Sequence, residues 1–394
     1  MAGSIQERGK GTYLLKISDG FDLNGKRKWY TKTVKCSSKA KAKTLLAEYE
    51  MEIRGGITYS SNNLRFSQVA EIWMKDYCIP NLSPKTVQGY ESKLRLHVLP
   101  YIGNMKIQKI TAYNIQKLYN DLAKKETGKT DINGAKVKLS SSSIHKVHEV
   151  IASIFSLAVK WKYIPYNPCK DVVKPKVHKS KMSFYNEEQC RELIQKTNEL
   201  ETIYKVIIWL AISTGLRRGE ILGLHWEDVD FENKTISVNR SVQYIPERGI
   251  FEKGTKTEGS VREVPVPDFC LQGLNQLKEE QVRLNVKNKK LWKTEKNIFV
   301  NEIGNILHPD TITSMFERFI KSTGLPRIRF HDLRHTCATI LLNNGANLKV
   351  VSANLGHTNL STTNLYLHAL KSASKECANI FDVLVNSNEK VGVN

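Results

Sequence analysis

The apolar positions of this chain follow two rhythms, and the change from one to the other divides it. Residues 12–17, TYLLKI, have the extended pattern of a strand, and residues 26–35, KRKWYTKTVK, read as a second. The turn-forming stretch SDGFDLNG lies between them. Ser37 and Ser38 stand where a cap is wanted for the helix KAKAKTLLAEYEMEIR at 39–54, and Gly55 and Gly56 stop it. From residue 64 the spacing is helical. Ser67 is placed to cap FSQVAEIWMKDY, Ser83-Pro84 opens a helix through KTVQGYESKLRLHVLPYI, and IQKITAYNIQKLYNDLAKKE supplies a third. The polar stretch ETGKTDINGAKVKLS is expected as a loop. Serines 140–143 then open a fourth helix, on which Ile144, Val147, Ile151, Ile154, Phe155 and Ala158 form one apolar stripe. His145 and His148 of that helix are read as polar-face residues rather than ligands. Asn167-Pro168 ends the segment, and the basic stretch CKDVVKPKVHKSK at 169–181 is expected as a linker short of core residues.

Beyond residue 183 strands and helices mix. Asn186 and Gln189 form a capping pair, and TIYKVIIWLAIST reads as a buried helix ending at Gly215. KTISVNRSV, FEKGTKTEG and REVPVP are expected as strands, with helices after them. Residues 374–386 place Cys377, Ile380, Phe381, Leu384 and Val385 along one side of a short tail helix, which packs on its own domain or docks on a neighbour. The expected fold class is therefore multidomain. A small N-terminal β-sheet plus helix module (1–60) precedes an all-α bundle (64–168), a linker (169–181) and a mixed α+β domain with its tail (182–394).

Charge changes this picture more than length does. The 394 residues carry a formal net charge of +21, which makes a polyanion the expected partner, nucleic acid or an anionic membrane surface. No apolar run is long enough to span a bilayer, and the N-terminus MAGSIQERGK lacks the apolar core of a signal peptide. Seven cysteines without a CxxC pair argue against a disulfide framework and a thiolate zinc site. A cytoplasmic protein is the expectation. The first sixty residues hold 12 Lys and Arg against 6 Asp and Glu, which reads as a solvated face or as a basic ribbon able to enter a DNA groove. On the second reading Lys26, Arg27, Lys28, Trp29 and Lys32 are candidate DNA contacts, as are Lys85, Lys93 and Lys146 of the helical segment.

Four segments of the last domain set polar groups beside apolar helices. In TGLRRGEILGLHWEDVD, Arg217 and Glu220 lie three apart on one helical face, while Arg218 reads as a surface residue. GTKTEGSVREVPV at 254–266 reads as strand-turn-strand, with Lys256 near its bend and Lys253 as an alternative. HDLRH at 331–335 sets His331, Asp332, Arg334 and His335 at a helix start, as a metal site, a satisfied polar cluster or an anion site. In LGHTNLSTTNLYLH, His357 precedes Tyr366 by nine residues.

Together these boxes, present in order, resemble the tyrosine recombinases, specifically the integrases of temperate phages and conjugative transposons. The resemblance covers the whole chain. It implies an arm-type DNA-binding domain at 1–60, a core-binding domain at 64–168 and a catalytic domain in the remainder. It implies Arg217 and Arg334 as a phosphate clamp, His357 as a hydrogen-bond donor and Tyr366 as the nucleophile forming a 3′-phosphotyrosyl bond. His331 would be the general base and Lys256 the general acid for the 5′-oxygen, with Glu220 and Asp332 orienting them. His335 is then a structural residue of the helix, and His368 fits a frequent YxH pattern. No cofactor and no metal is implied. The implied partners are double-stranded DNA attachment sites and a homotetramer on synapsed DNA, formed from chains largely monomeric when free. An excisionase or a DNA-bending accessory protein would join them, and no membrane is involved. A type IB topoisomerase shares the chemistry, and a DNA-binding protein with a dead site is the non-enzymatic rival.

Overall fold

The computed structural model describes residues 3–21, 27–54, 64–130, 134–177, 183–254 and 261–356. It divides into two units, Met1–Lys179 and Ser180–Asn394.

The N-terminal part of the first unit holds three strands where the pattern predicts two. β1 (Gly3–Gly9), β2 (Thr12–Phe21) and β3 (Arg27–Lys35) form an antiparallel sheet in that order. β1 is polar enough to escape a hydrophobicity reading, and only its Ile5 packs on the core. Gly9 pairs with Thr12, so Lys10 and Gly11 make a two-residue turn, and Gly11 takes φ +73°, a conformation that favours glycine. α1 (Lys39–Arg54) starts as predicted, its Lys41 amide donating to Ser38 Oγ at 3.3 Å. Its Tyr49 closes over Leu15 and Ile17 of β2, with Tyr30 and Val34 of β3 completing the cluster.

The helical part begins with α2 (Phe66–Trp73), which runs through a π turn at Met74–Cys78 into α3 (Ile79–Asn81). α4 (Pro84–Lys93) likewise continues through Leu94–Val98 into α5 (Leu99–Ile102). α6 (Ala112–Lys124) and α7 (Ser141–Lys160) complete the bundle. The α7 stripe is buried as expected, packing with Phe66, Trp73, Ile115 and Leu118. Four expectations need correction. Ser67 lies inside α2, whose cap is Arg65, the Arg65 amide donating to Gln68 Oε1 at 2.9 Å. The expected loop holds a hairpin, β4 (Glu126–Thr130) with β5 (Lys136–Lys138), set into the helical bundle. Its positions are exposed throughout, which removes the apolar alternation that marks a strand. His148 is buried, its Nδ1 2.7 Å from the Tyr119 hydroxyl, and burial lowers its pKa, whereas the pattern puts it on the polar face. Finally, Pro168–Asp171 forms a 3-10 turn, and Cys169 and Val172 are buried in this core, so the bundle reaches into the expected linker.

In the second unit α8 (Glu187–Lys196) carries the expected cap, Gln189 N donating to Asn186 Oδ1 at 2.8 Å and Asn186 N to Gln189 Oε1 at 3.1 Å. α9 (Thr202–Thr214) is apolar on most sides because it crosses the middle of the core. It ends at Gly215 with φ +67°, and a Cβ there would meet Leu355 at 2.4 Å. The short α10 (Arg218–Leu222) follows. β6 (Val229–Asp230), β7 (Thr235–Val238) and β10 (Arg262–Pro265) make one antiparallel sheet in the order β10-β7-β6. β8 (Arg240–Ile245) pairs with β9 (Gly249–Gly254) as a separate hairpin. Strands flank residues 255–260 as expected for 254–266, but β9 and β10 do not pair with each other, since β9 bonds β8 and β10 bonds β7. β9 is held at its far end by Glu252, which hydrogen-bonds His225 Nε2 at 2.9 Å and accepts from Asn297 Nδ2 at 2.5 Å. α11 (Asp268–Lys287), α12 (Pro309–Thr323), α13 (Asp332–Asn343) and α14 (Leu348–Leu355) complete the described chain.

Candidate active site

Arg217 stands at the N-cap of α10, and Glu220 is the third residue of that helix. The spacing seen in sequence is therefore half a capping box. The Arg217 amide donates to Glu220 Oε2 at 2.9 Å, and the guanidinium donates to Oε1 at 2.7 Å. Glu220 is buried, which alone would raise its pKa. Hydrogen bonds from Arg262 and then Arg217 outweigh that and hold it below the ordinary carboxylate value. Arg217 keeps its side chain 42% exposed, so it can present charge to a ligand.

Arg334 lies on the first turn of α13 and is almost wholly buried. A buried cation needs fixed partners, and two helix ends supply them. Arg334 Nη1 donates to Gly215 O, the C-cap of α9, at 2.7 Å, and Nη2 donates to Leu355 O, the last residue of α14, at 2.5 Å. These carbonyls have no onward helical partner and carry the negative end of each helix dipole. Arg217 Nη2 reaches the next carbonyl of the same turn, Gly356 O, at 3.2 Å. The two expected clamp residues, far apart in sequence, thus converge on one helix terminus.

His331 precedes α13 as its N-cap, with its ring in solvent contact and its centroid 5.2 Å from that of His335. Desolvation by surrounding protein, then the charges of His335 and Arg334, lowers its pKa. A neutral imidazole at this place can accept a proton. Asp332 takes hydrogen bonds from Arg329, from the amide at 2.8 Å, Nη2 at 2.8 Å and Nε at 3.1 Å. It thereby fixes the turn entering α13. The arrangement is cationic, partly open and lined by fixed donors, which suits an anion. Among the described residues no cluster of three His, Cys, Asp or Glu is placed to hold a metal ion.

Lys256, His357, Tyr366, His368 and the 374–386 tail lie outside the described residues, as do Lys26 and the Lys28 side chain. Lys253, the alternative to Lys256, is on β9 opposite Ser241. Arg218 corrects its reading as a plain surface residue, since it hydrogen-bonds Thr313 and pairs with Asp310 at 3.5 Å, tying α10 to α12. Of the DNA candidates, Arg27 lies 5.5 Å over the ring of exposed Trp29. Lys32 instead shares the helix-facing side of β3 with Tyr30 and Val34, its ammonium 5.1 Å from the Tyr49 ring. Lys85 is exposed and donates to Gln88 at 2.9 Å. Lys93 on α4 is half-buried, and burial followed by the charge of Lys146 on α7 lowers its pKa. Arg262 is a site neighbour that sequence spacing does not single out. It donates through Nη2 to Glu220 Oε2 at 2.7 Å and through Nε to Asn354 O at 2.8 Å. Its only sequence signal is an arginine beginning a strand in REVPVP.

Comparison with known proteins gives this fold a family. The model of the phage integrase family matches residues 183–373, and that of the SAM-like N-terminal domain of phage integrases matches residues 65–123. A XerC-like tyrosine recombinase of Caldanaerobacter subterraneus subsp. tengcongensis is 32% identical over 388 residues, covering 92% of this chain and 94% of that one. The ICEBs1 integrase of Bacillus subtilis is 27% identical, covering 97% of this chain and all of that one, 100%. Among solved structures, the Tn1549 transposon integrase (residues 82–397) bound to a circular intermediate DNA superposes with a TM-score of 0.65. It is 20% identical and covers 80% of this chain and 99% of that one, a likeness of fold. No helix of the described residues is long and apolar enough to cross a membrane.

Proposed function

Because this chain belongs to the phage integrase family of tyrosine recombinases, and so acts on DNA as a site-specific recombinase, we propose that it integrates and excises a mobile element and that its residues divide the work as follows. Arg217 and Arg334 bind the non-bridging oxygens of the scissile phosphate, with His357 adding a hydrogen bond. Tyr366 attacks phosphorus, its proton passing to His331, and a 3′-phosphotyrosyl ester forms. The P–O5′ bond breaks, and Lys256 supplies the proton that makes the leaving group a 5′-hydroxyl. One phosphoester replaces another, so the 5′-hydroxyl of a second duplex reverses the step without outside energy. The observation that carries this reading is the convergence of Arg217 and Arg334 on the consecutive carbonyls of Gly356 and Leu355, immediately before His357.

The remaining assignments are of the same kind. Residues 1–60 bind arm sites, and 64–168 with 182–394 clamp the crossover site across the intervening linker. Exchange of four strands needs four tyrosines, hence a homotetramer on two synapsed duplexes, with the free chain monomeric. An excisionase or a DNA-bending protein then sets direction. The setting is the cytoplasm of a bacterial host.

The test is Tyr366→Phe, which removes one oxygen. On a suicide substrate nicked beside the cleavage site, the wild type should accumulate a covalent DNA–protein adduct. The variant should bind the same DNA with unchanged affinity and form none. An adduct from the variant would move the nucleophile elsewhere and overturn the assignment.

A further inference from the structure

Three arginines from three elements meet the last turn of α14. Arg262 Nε donates to Asn354 O at 2.8 Å, Arg334 Nη2 to Leu355 O at 2.5 Å and Arg217 Nη2 to Gly356 O at 3.2 Å. Three successive carbonyls, orphaned by the end of the helix, are each claimed by a guanidinium. Two of the three arginines belong to the proposed phosphate clamp. The third does not face outward, for its side chain is 12% exposed and its other nitrogens lie on Glu220, Nη2 at 2.7 Å and Nη1 at 3.4 Å.

From this geometry we infer that Arg262 is a positioning residue for the cleavage step, holding Arg217 through Glu220 and the α14 terminus through Asn354. The inference rests on the proposed roles of Arg217 and of the segment that follows Gly356. One planar fork does two jobs here. It fixes the carboxylate that orients Arg217, and it sets the height of the turn from which His357 departs. A lysine has the charge but only one nitrogen, so it does not reproduce the planar fork that reaches Asn354 through Nε and Glu220 through Nη2. Gly356 reports how tight the arrangement is. It adopts φ +65°, and a Cβ on it would meet the Arg262 guanidinium at 2.9 Å. Arg262 also opens β10, the strand that follows residues 255–260 and hence Lys256. It could therefore act through the acid instead of the clamp, and the two routes are chemically separable.

The experiment is Arg262→Lys, measured in single turnover with DNA saturated by protein, on three suicide substrates. One carries an ordinary scissile phosphodiester, one a methyl group replacing a non-bridging oxygen, and one a bridging 5′-sulfur. On the ordinary substrate, cleavage should fall on the order of 10²-fold while DNA affinity stays within about threefold, because misplacing a clamp by an ångström costs that much. The methyl substrate has lost the charge that Arg217 stabilises, so the gap between variant and wild type should narrow there. The sulfur leaves without a proton, so that substrate should show the full gap. Narrowing on the sulfur substrate alone would assign Arg262 to Lys256 and overturn the inference, as would cleavage within threefold of wild type on the ordinary substrate. If Arg262→Lys does not fold, Arg262→Gln, which keeps an N–H for the Asn354 carbonyl, is put through the same three substrates with the same criteria. A wild type that forms no adduct on any substrate would sink the proposed function itself, a result distinct from all of these.

Discussion

The cations of the catalytic unit and those of the helical bundle are handled in opposite ways. Arg334 and Arg262 are withdrawn from solvent and given fixed acceptors, carbonyls at helix ends and the Glu220 carboxylate. Lys85 and Lys146 are left in solvent, and Lys93 is half-buried, its ammonium donating to Gly89 O at 2.9 Å while burial and then the charge of Lys146 lower its pKa. The first arrangement is preorganised. Its cations are held in place before any ligand arrives, which is what the proposed phosphate clamp requires if charge developing during reaction is to be stabilised with little rearrangement. The second leaves positive charge at the surface, where an anionic partner would bind with release of counterions. Guanidinium suits the first task because it forks and stays protonated, and ammonium suits the second because it is a compact, mobile charge.

This contrast fixes the sign of each substitution. The largest effect should come from Arg334→Met. It orphans the carbonyls of Gly215 and Leu355 and empties half the proposed clamp, so cleavage should fall about 10³-fold. Stability should drop by about 1–3 kcal/mol in the same variant, from the buried acceptors left unpaired. Adduct formation and thermal melting measure the two together. Full stability with abolished cleavage would mean that other groups satisfy those carbonyls.

The next effect belongs to His331→Gln, which should lower cleavage on the order of 10²-fold, the usual worth of a general base. It should also remove an acid limb whose place follows from the environment. The folded protein lowers the His331 pKa from its ordinary 6.5, so the neutral acceptor persists at pH 6.5 and disappears only as pH falls through the lower folded value. The decline of the wild-type profile toward acid should hence have its midpoint below 6.5. A decline centred above 6.5 would exclude His331 as the group responsible.

The smallest effect, and the one of opposite sign, is expected for Lys93→Gln with Lys146→Gln. Removing two neighbouring like charges should leave the melting temperature unchanged or slightly higher. DNA affinity at low salt should fall several-fold, and the slope of log K against log salt should shrink by roughly 0.9 for each phosphate that the variant no longer neutralises. An unchanged slope would place this face away from DNA.

Much of the fold was legible because its signals are local. The caps at Ser38, Ser83 and Asn186 each satisfy amides within one turn, and the stripe on α7 repeats at helical spacing. The reading breaks down where a local signal is ambiguous or overridden. Ser67 has the chemistry of a cap, but the helix already starts at Arg65, whose amide Gln68 satisfies. β1 and the β4–β5 hairpin are strands with too little apolar alternation to announce themselves. His148 has a polar side chain yet is buried, because Tyr119 on a neighbouring helix offers a partner. Arg217 and Glu220 are readable as a unit because they are three residues apart on one turn.

By itself the sequence determined the two periodicities, the caps and the TGLR, HDLRH and LGH boxes, each a property of residues within a few positions of one another, and the excess of positive charge, which needs only counting. Which cation meets which acceptor was decided only by the tertiary structure. Arg262 is 42 residues from Glu220 and 92 from Asn354, and Arg334 is 119 from Gly215. No spacing rule reaches that far, because such pairs form only after the apolar core around α9 has set where each helix ends. Burial then forces every polar group left inside to find a partner among whatever the packing has brought near.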